Sequence, residues 1–153
     1  LVRMMVAQIF SMIMNEDSHD GLHIQFFIDE FENIGKLQNI VKMVKMDNDS
    51  NTGITLMIQS VEWTYDLYGN VFNTIATNCH SMVFMGSQNI STILYVQHWI
   101  GMTRMLINSH IFKYSIREHT MTEEKLKNMP KNMCIVIQHG KQAILDKKIS
   151  PVQ

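Results

Sequence analysis

The sequence predicts an α/β fold whose sheet is mostly parallel. Short apolar segments of strand length alternate with longer amphipathic segments, and this order is typical of strand–helix–strand units. The first such segment, residues 23–29, is largely apolar and leads into two carboxylates, Asp29 and Glu30. A near-continuous apolar run is typical of a strand that is buried on both faces. Hydrophobic residues make up 46% of the 153 residues, which is enough for one domain with its own core.

The elements of the first half follow from apolar spacing and from the turn-forming residues between them. Leu37, Val41 and Val44 recur at the spacing of one helix face, which predicts an amphipathic helix that packs on the sheet. Ser60 is suited to be the N-cap of the helix after the second strand. The predicted strands are 23–29 and 54–58, and the predicted helices are 1–14, 37–46, 60–67 and 71–77.

In the second half the pattern is clear at both ends and ambiguous between them. Thr122 is suited to cap a helix that Pro130 stops, and residues 101–120 alternate imperfectly, so a strand and an irregular segment both fit. A last apolar strand is followed by a short antiparallel return, which predicts a hairpin at the end of the sheet. The predicted strands are 81–85, 133–138 and 142–145, and the predicted helices are 89–100 and 122–129.

The composition argues against several classes of protein. The formal net charge is −1, so there is no overall basic field for nucleic acid, although a local patch would still allow DNA contact. The two cysteines, Cys79 and Cys134, form no CxxC pair, and no HExxH motif is present, so we expect free thiols and no zinc site. The 14 methionines fit adaptable core packing, with a Met-lined binding surface as the alternative.

The acids after the first strand are the first candidates for chemistry. In open parallel sheets, ligands bind at the carboxyl ends of the strands, and many P-loop ATPases place an Asp-Glu pair there to hold Mg²⁺ and activate a water. Acids are also common at the start of a helix, where they interact favourably with its dipole. From the residues alone, Asp29 and Glu30 fit either role.

Taken together, the motifs resemble a known family. The sequence contains, in order, FFIDEFENIGKLQNI, GITLMIQS, NTIATNCHSMVFMGS, IGMTR and MPKNMCIVIQHGKQAILDKK. This series resembles the type IV secretion coupling proteins of the TraG/VirD group, which are conjugative DNA-pumping ATPases related to FtsK and HerA. The resemblance implies a RecA-like P-loop NTPase sheet with helices on both faces and a C-terminal hairpin. It places the end of a helical insertion and a connector at 1–21, the second half of the ATPase domain at 22–148, and a tail at 149–153.

The resemblance also implies roles for three side chains. Asp29 matches the Walker B aspartate, which holds Mg²⁺ through water, and Glu30 matches the catalytic glutamate that polarises the attacking water. Gln59, at the end of the neighbouring strand, matches the sensor glutamine of the family. Without the family, Gln59 is better explained as a solvated residue at the start of a helix. ATP and Mg²⁺ are the cofactors that the resemblance implies for the complete protein.

Two departures from the family pattern bear on activity. The Walker A motif GxxxxGK[ST] does not occur in this sequence. In the family it lies upstream of a helical insertion, so we expect this fragment to be inactive by itself. Family members also place arginines just before the strand at 54–58, one of them a candidate arginine finger. Here that loop is DNDSNTG, the nearest cations are Lys42 and Lys45, and Arg104 is a poor substitute that is better explained as a surface residue.

The leading hypothesis is therefore part of a coupling ATPase that powers relaxase–DNA transfer through a type IV secretion system. It implies sequence-independent contacts with DNA phosphates, relaxase and channel proteins as partners, a homohexamer, and a location at the cytoplasmic face of the bacterial inner membrane. The segment 102–120 is a candidate DNA-contacting loop or a solvated surface. One alternative is a non-catalytic RecA-like scaffold or substrate-recruiting module of the same system. A small response-regulator-like domain is a second, but it would not explain Gln59, Gly86 and the closing hairpin together.

Overall fold

The computed structural model describes residues 2–15, 23–45, 52–108 and 113–149. By its internal contacts the chain divides into two compact units, Leu1–Cys79 and His80–Gln153. Within the described ranges, no helix has the length and apolar character needed to cross a membrane. The predicted domain limits at 21 and 148 stay predictions.

The described residues of the first unit form four α-helices, two strands and one short 3₁₀ helix. Their order alternates strand and helix as predicted, but the 3₁₀ helix directly after the acidic turn was not foreseen. The elements are α1 (Val2–Asn15), β1 (Ile24–Ile28), the 3₁₀ helix (Phe31–Ile34), α2 (Ile40–Lys45), β2 (Thr52–Leu56), α3 (Val61–Tyr68) and α4 (Val71–Asn78).

Strands β1 and β2 pair in parallel, which confirms the predicted strand direction. Their register runs from Ile24 opposite Thr52 to Ile28 opposite Leu56. The backbone N–H of Met57 continues the ladder by donating to the Ile28 carbonyl at 2.8 Å. β2 is Thr52–Leu56, so it begins and ends two residues earlier than the predicted strand at 54–58.

The prediction that the first strand is buried on both faces is wrong for the described chain. Ile28 is 5% exposed, whereas the neighbouring Phe27 is 69% exposed. Successive side chains of a strand point to opposite faces of its sheet, so only one face of β1 is covered. Phe26, on the opposite face from Phe27, lies against Phe10 of α1 with ring centroids 6.0 Å apart.

The core of the first unit is built around the 3₁₀ helix. Phe31 is fully buried and stacks on Tyr68 of α3, with ring centroids 5.0 Å apart and ring planes within 9°. The Tyr68 hydroxyl accepts a hydrogen bond from the Leu37 backbone N–H at 3.0 Å and donates to the Gly35 carbonyl at 3.4 Å. These contacts fix the segment between β1 and α2 against α3. Burial raises the pKa of Tyr68, an effect that the hydrogen bond from Leu37 partly opposes.

In the second unit, five strands and two α-helices are formed by the residues that the structure describes. Segment 101–120, which the sequence left ambiguous, forms two paired strands. The elements are β3 (Ser81–Phe84), α5 (Ile90–Ile100), β4 (Met102–Asn108), β5 (Lys113–His119), α6 (Glu123–Lys127), β6 (Met133–Gln138) and β7 (Ile144–Lys147).

The strand pairings described in the second unit are all antiparallel, so among the described residues the parallel arrangement predicted for most of the sheet is found between β1 and β2 alone. β6 lies between β3 and β7 and is antiparallel to both, and β4 pairs with β5. The predicted closing hairpin is confirmed, although its second strand is Ile144–Lys147 rather than 142–145. The core of the unit lies between this sheet and the helices, where the buried side chains are those of Phe84, Ile93, Val96, Leu126, Ile135 and Ile137.

Capping residues set several of the helix ends. The Ser60 hydroxyl accepts a hydrogen bond from the Trp63 N–H, and the Thr122 hydroxyl accepts one from the Lys125 N–H, so both predicted N-caps are confirmed. Asn89 caps α5 in the same way, through the Thr92 N–H at 2.9 Å. Each cap satisfies a backbone donor that has no partner within its helix.

Candidate functional site

The candidate site lies at the carboxyl ends of β1 and β2 in the first unit. Asp29 and Glu30 directly follow β1, and both side chains are exposed. They form part of the wall of an open cavity of about 460 Å³. The residues that line this cavity are Val2, Arg3, Met4, Asp29, Glu30, Asn33 and Ile34. The two predicted acids therefore face a common space, with one cationic side chain beside them.

The backbone of Glu30 adopts a conformation that is uncommon for a residue other than glycine. Its dihedral angles are φ 48° and ψ 48°, in the left-handed region, which costs an L-residue about 1–2 kcal/mol. The Asp29 Oδ1 atom accepts the Glu30 N–H at 2.9 Å, and the next N–H, that of Phe31, donates to the Met57 carbonyl at 3.0 Å. This sharp turn directs Phe31 into the core and leaves Glu30 at the cavity.

Both carboxylate oxygens of Glu30 accept hydrogen bonds from side-chain amides. The Gln59 Nε2 atom donates to Oε1 at 3.2 Å, and the Asn33 Nδ2 atom donates to Oε2 at 3.0 Å. Gln59 comes from the segment after β2, whereas Asn33 belongs to the 3₁₀ helix. The structure thus brings together Glu30 and Gln59, two of the three predicted site residues, and the third, Asp29, directly precedes Glu30 in the chain.

Sequence reasoning missed Glu32, whose side chain is only 9% exposed. Its Oε1 atom accepts two backbone hydrogen bonds, from the Gln59 N–H at 2.8 Å and from the Ser60 N–H at 3.3 Å. Its Oε2 atom is buried and has no hydrogen-bond partner among the described residues. The sequence did contain one signal, since Glu32 is a third acid within the four residues DEFE.

Asn33 and Arg3 were also missed. Asn33 contacts Glu30 from a turn of 3₁₀ helix that apolar periodicity does not reveal, since the segment is too short to show a period. Arg3 lines the cavity from α1, and a lone arginine in an apolar helix gives no sign of where its side chain ends. The placement of Arg3 at the cavity depends on the tertiary fold, whereas the Asn33 contact is local, since Asn33 follows Glu30 by three residues.

The candidates for a substitute cation are only partly placed. Lys42 and Lys45 lie on α2 and are exposed, and the loop at 46–51 falls outside the described residues. Arg104 belongs to strand β4 of the second unit, but its side chain falls outside the described part. Lys42 and Lys45 are not among the residues that line the cavity.

The donor atoms at the site suit Mg²⁺ better than a metal held by protein alone. Within the described ranges, no cluster of three or more His, Cys, Asp or Glu side chains is placed to hold a metal ion. Mg²⁺ keeps several of its waters and is commonly held by one or two carboxylates together with substrate phosphates. Asp29, exposed at the cavity, fits such a partial ligand set, and the side chain of Glu30 is occupied by amides.

Asn78 and Cys79, which match a family element, have local roles. Asn78 is the last residue of α4, and its Nδ2 atom donates to the Thr74 carbonyl at 2.7 Å. The Cys79 thiol contacts the Ile75 carbonyl at 3.4 Å. Both residues terminate the helix.

The structure is similar to solved structures of a conjugative coupling protein. Unbound bacterial conjugative coupling protein TrwBdeltaN70 matches with a TM-score of 0.80 and 16% identity, over 94% of this chain and 35% of that chain. TrwB in complex with the non-hydrolysable ATP analogue ADPNP matches with a TM-score of 0.79, 16% identity and coverage of 94% and 34%. TrwB in complex with ADP and Mg²⁺ matches with a TM-score of 0.83, 16% identity and coverage of 97% and 36%.

These likenesses show the fold, and the chain spans about a third of the length of the TrwB structures, 35% in the unbound form. They confirm the predicted RecA-like α/β architecture. No curated protein sequence matches the chain. A family model, TraG-D_C, described as the TraM recognition site of TraD and TraG, matches residues 23–131. This match spans most of the chain and includes both strands of the candidate site, so the chain belongs to the TraG-D_C family.

Proposed function

We propose that the chain is the second half of the motor domain of a conjugative coupling ATPase, which powers relaxase–DNA transfer through a type IV secretion system. The observation on which the proposal depends is the contact between Glu30 and Gln59 at 3.2 Å, at the carboxyl ends of two parallel strands. Family membership and the fold shared with TrwB support it. In TrwB, the same fold binds an ATP analogue and, in another complex, ADP with Mg²⁺.

In the complete protein, each site residue has a distinct role. Asp29 would hold a hydrated magnesium ion through its exposed carboxylate, and Glu30 would orient the attacking water and accept its proton at a carboxylate oxygen. A carboxylate has about four acceptor positions, so Glu30 can accept this bond while Gln59 and Asn33 hold its oxygens. Mg²⁺ and ATP supply the charge neutralisation and the phosphoryl group when bound.

Gln59, which follows β2, contacts Glu30, which follows β1, at the proposed site of hydrolysis. Its amide nitrogen donates to Glu30, and its amide oxygen is an acceptor for the same water. A neutral amide can therefore orient the water without competing with Glu30 for its proton. The sequence contains no GxxxxGK[ST] motif, so the proposal requires a phosphate-binding loop that is supplied from elsewhere in the complete motor domain.

The proposed partners follow from the family. The TraG-D_C description names TraM recognition, so we include a TraM-type relaxosome protein with the relaxase and the channel proteins. DNA is contacted at its phosphates, independently of sequence. The complete protein is proposed to act as a homohexamer at the cytoplasmic face of the bacterial inner membrane.

ATP hydrolysis by the complete natural protein, measured with DNA present, tests this function. Glu30→Gln removes the proton acceptor but keeps the size of the side chain, and we expect turnover to fall by about 100-fold or more. Glu62→Gln, at an exposed glutamate in the first turn of α3, is the matched control and should leave turnover unchanged. If the unmutated protein does not hydrolyse ATP with DNA present, the ATPase proposal is refuted.

A second candidate is a non-catalytic scaffold or recruiting module with the same fold. The segment DNDSNTG, which runs into the start of β2, contains no arginine, and loss of an arginine finger lowers phosphoryl-transfer rates by about 10³–10⁵-fold. Under this alternative the complete protein would retain binding of relaxosome proteins, and Glu30→Gln would change neither binding nor the absent hydrolysis.

A further inference from the structure

Glu32 joins two segments that both contribute to the site. It belongs to the same 3₁₀ helix as Asn33, and its carboxylate reaches the backbone that follows β2. Its Oε1 atom accepts the N–H groups of Gln59 and Ser60. The side chain of Gln59 in turn donates to Glu30. Gln59 is therefore held twice, at its backbone by Glu32 and at its amide by Glu30.

Simple helix capping does not account for this contact. An acid near the start of α3 interacts favourably with the helix dipole, but α3 already has an N-cap in Ser60, whose hydroxyl accepts the Trp63 N–H. Glu32 instead binds the N–H groups of the cap residue itself and of the residue before it. The residue whose position this contact determines is Gln59, which lies outside the helix.

The burial of Glu32 is also unfavourable in itself. Glu32 is only 9% exposed, and its Oε2 atom has no hydrogen-bond partner in the described part of the chain. A buried carboxylate oxygen without a partner lowers stability. Such local costs concentrate at functional sites, where an arrangement is retained for its geometry rather than for its stability.

We infer that Glu32 is a positioning residue, which fixes the backbone of Gln59 so that the Gln59 amide stays on the Glu30 carboxylate. The inference rests on the proposed ATPase function and adds a residue to it. Glu32 does not touch substrate; it acts through Gln59. Loss of its carboxylate therefore affects the step that Glu30 and Gln59 perform and leaves the binding of nucleotide unchanged.

The test compares ATP hydrolysis by variants of the complete natural protein with DNA present. Glu32→Ala removes the acceptor of both N–H groups, and we expect kcat to fall by about 10-fold or more, with KM for ATP within about twofold of the unmutated value. Glu32→Gln keeps one acceptor oxygen and should restore kcat to within about threefold. Glu62→Ala is the matched control and should have no effect.

A double-mutant cycle separates positioning from a general structural role. If Glu32 acts through Gln59, Glu32→Ala should have little further effect on kcat in a Gln59→Ala background. An equal loss in both backgrounds would overturn the inference, and so would an unchanged kcat for Glu32→Ala alone. A loss in KM with constant kcat would also contradict it, since the residue would then act on binding.

A second measurement separates this inference from the proposed function. Hydrogen–deuterium exchange of the complete protein, measured for the peptide that includes residues 57–60, reports the two N–H groups directly. We expect faster exchange in Glu32→Ala but not in Glu32→Gln or Glu62→Ala. If no variant hydrolyses ATP, the function fails while faster exchange still supports the positioning of Gln59. Unchanged exchange in Glu32→Ala overturns the inference in either case.

Discussion

Replacement of Phe31 by alanine tests how the acidic turn is anchored. The Phe31 side chain is fully buried, and its ring stacks on Tyr68 at a centroid distance of 5.0 Å. Burial of a phenylalanine side chain is worth about 1.5–3 kcal/mol, and an aromatic pair adds about 0.5–1.5 kcal/mol. With the cavity that remains, we expect Phe31→Ala to lower the free energy of unfolding by about 3–5 kcal/mol.

Phe27, an exposed β1 residue directly before the buried Ile28, provides a matched control. It is the same residue type, lies four positions earlier, and is 69% exposed. We expect Phe27→Ala to cost less than about 1 kcal/mol in urea unfolding followed by far-UV circular dichroism. A shift of one residue in β1 would exchange its faces. Equal losses for the two variants would therefore refute both the strand register and the anchoring role of Phe31.

Substitutions at Glu30, Tyr68 and Leu126 test other contacts by urea unfolding. Glu30→Ala loses the amide contacts and keeps the strain of the left-handed backbone, whereas Glu30→Gly loses the contacts and relieves the strain. The free energy of unfolding should therefore be about 1 kcal/mol lower for Glu30→Ala than for Glu30→Gly. A higher value for Glu30→Ala would contradict the backbone geometry. Tyr68→Phe leaves the Leu37 N–H without its acceptor and should cost about 1–3 kcal/mol. Burial raises the pKa of Tyr68 above 10.0, so the stability that this pKa shift contributes is complete below that pH and is lost as pH rises through the folded-state pKa. Tyr68→Phe should therefore lessen the loss of stability at alkaline pH. In the second unit, replacement of the fully buried Leu126 by alanine should lower the free energy of unfolding by about 2–5 kcal/mol. The same replacement of Leu145, which is 51% exposed, should lower it much less.

The sequence was most informative where local pattern and tertiary contact agree. An apolar run ending in Asp29 and Glu30 predicted a strand with acids at its carboxyl end, and β1 ends at Ile28 as expected. Ser60 and Thr122 were identifiable as caps because capping is a local interaction. The proximity of Gln59 to Glu30 came only from the family resemblance, since parallel pairing brings together residues that are far apart in the chain.

Element boundaries were displaced where a long-range contact acts on the backbone. Residues 37–46 have helical spacing, yet α2 begins at Ile40. The Leu37 N–H donates to the Tyr68 hydroxyl, and Asn39 has a left-handed φ of 66°, so the chain cannot be helical before Ile40. Periodicity contains no information about the Tyr68 hydroxyl, and this boundary could not have been predicted from it.

Glu32 could not be predicted for a related reason. Its partners are backbone groups at Gln59 and Ser60, which any sequence supplies, so no residue type at those positions indicates the contact.

Strands β4 and β5 could not be assigned from the sequence, because the imperfect alternation of residues 101–120 fits both a strand and an irregular segment. In the structure the two strands pair from Met102 opposite His119 to Asn108 opposite Lys113.

The left-handed backbone of Glu30 has a consequence for the timescale of events at the site. The N–H groups of Glu30 and Phe31 are both hydrogen-bonded, and the Phe31 side chain is fully buried, so the backbone turn cannot reorient without disrupting the core. The remaining freedom of Glu30 is rotation about its side-chain torsions, which takes picoseconds to nanoseconds for an exposed residue. Exchange of an amide partner for a water at the Glu30 carboxylate is thus far faster than domain motions of microseconds to milliseconds, and a slow step in the proposed cycle of ATP hydrolysis would have to arise elsewhere.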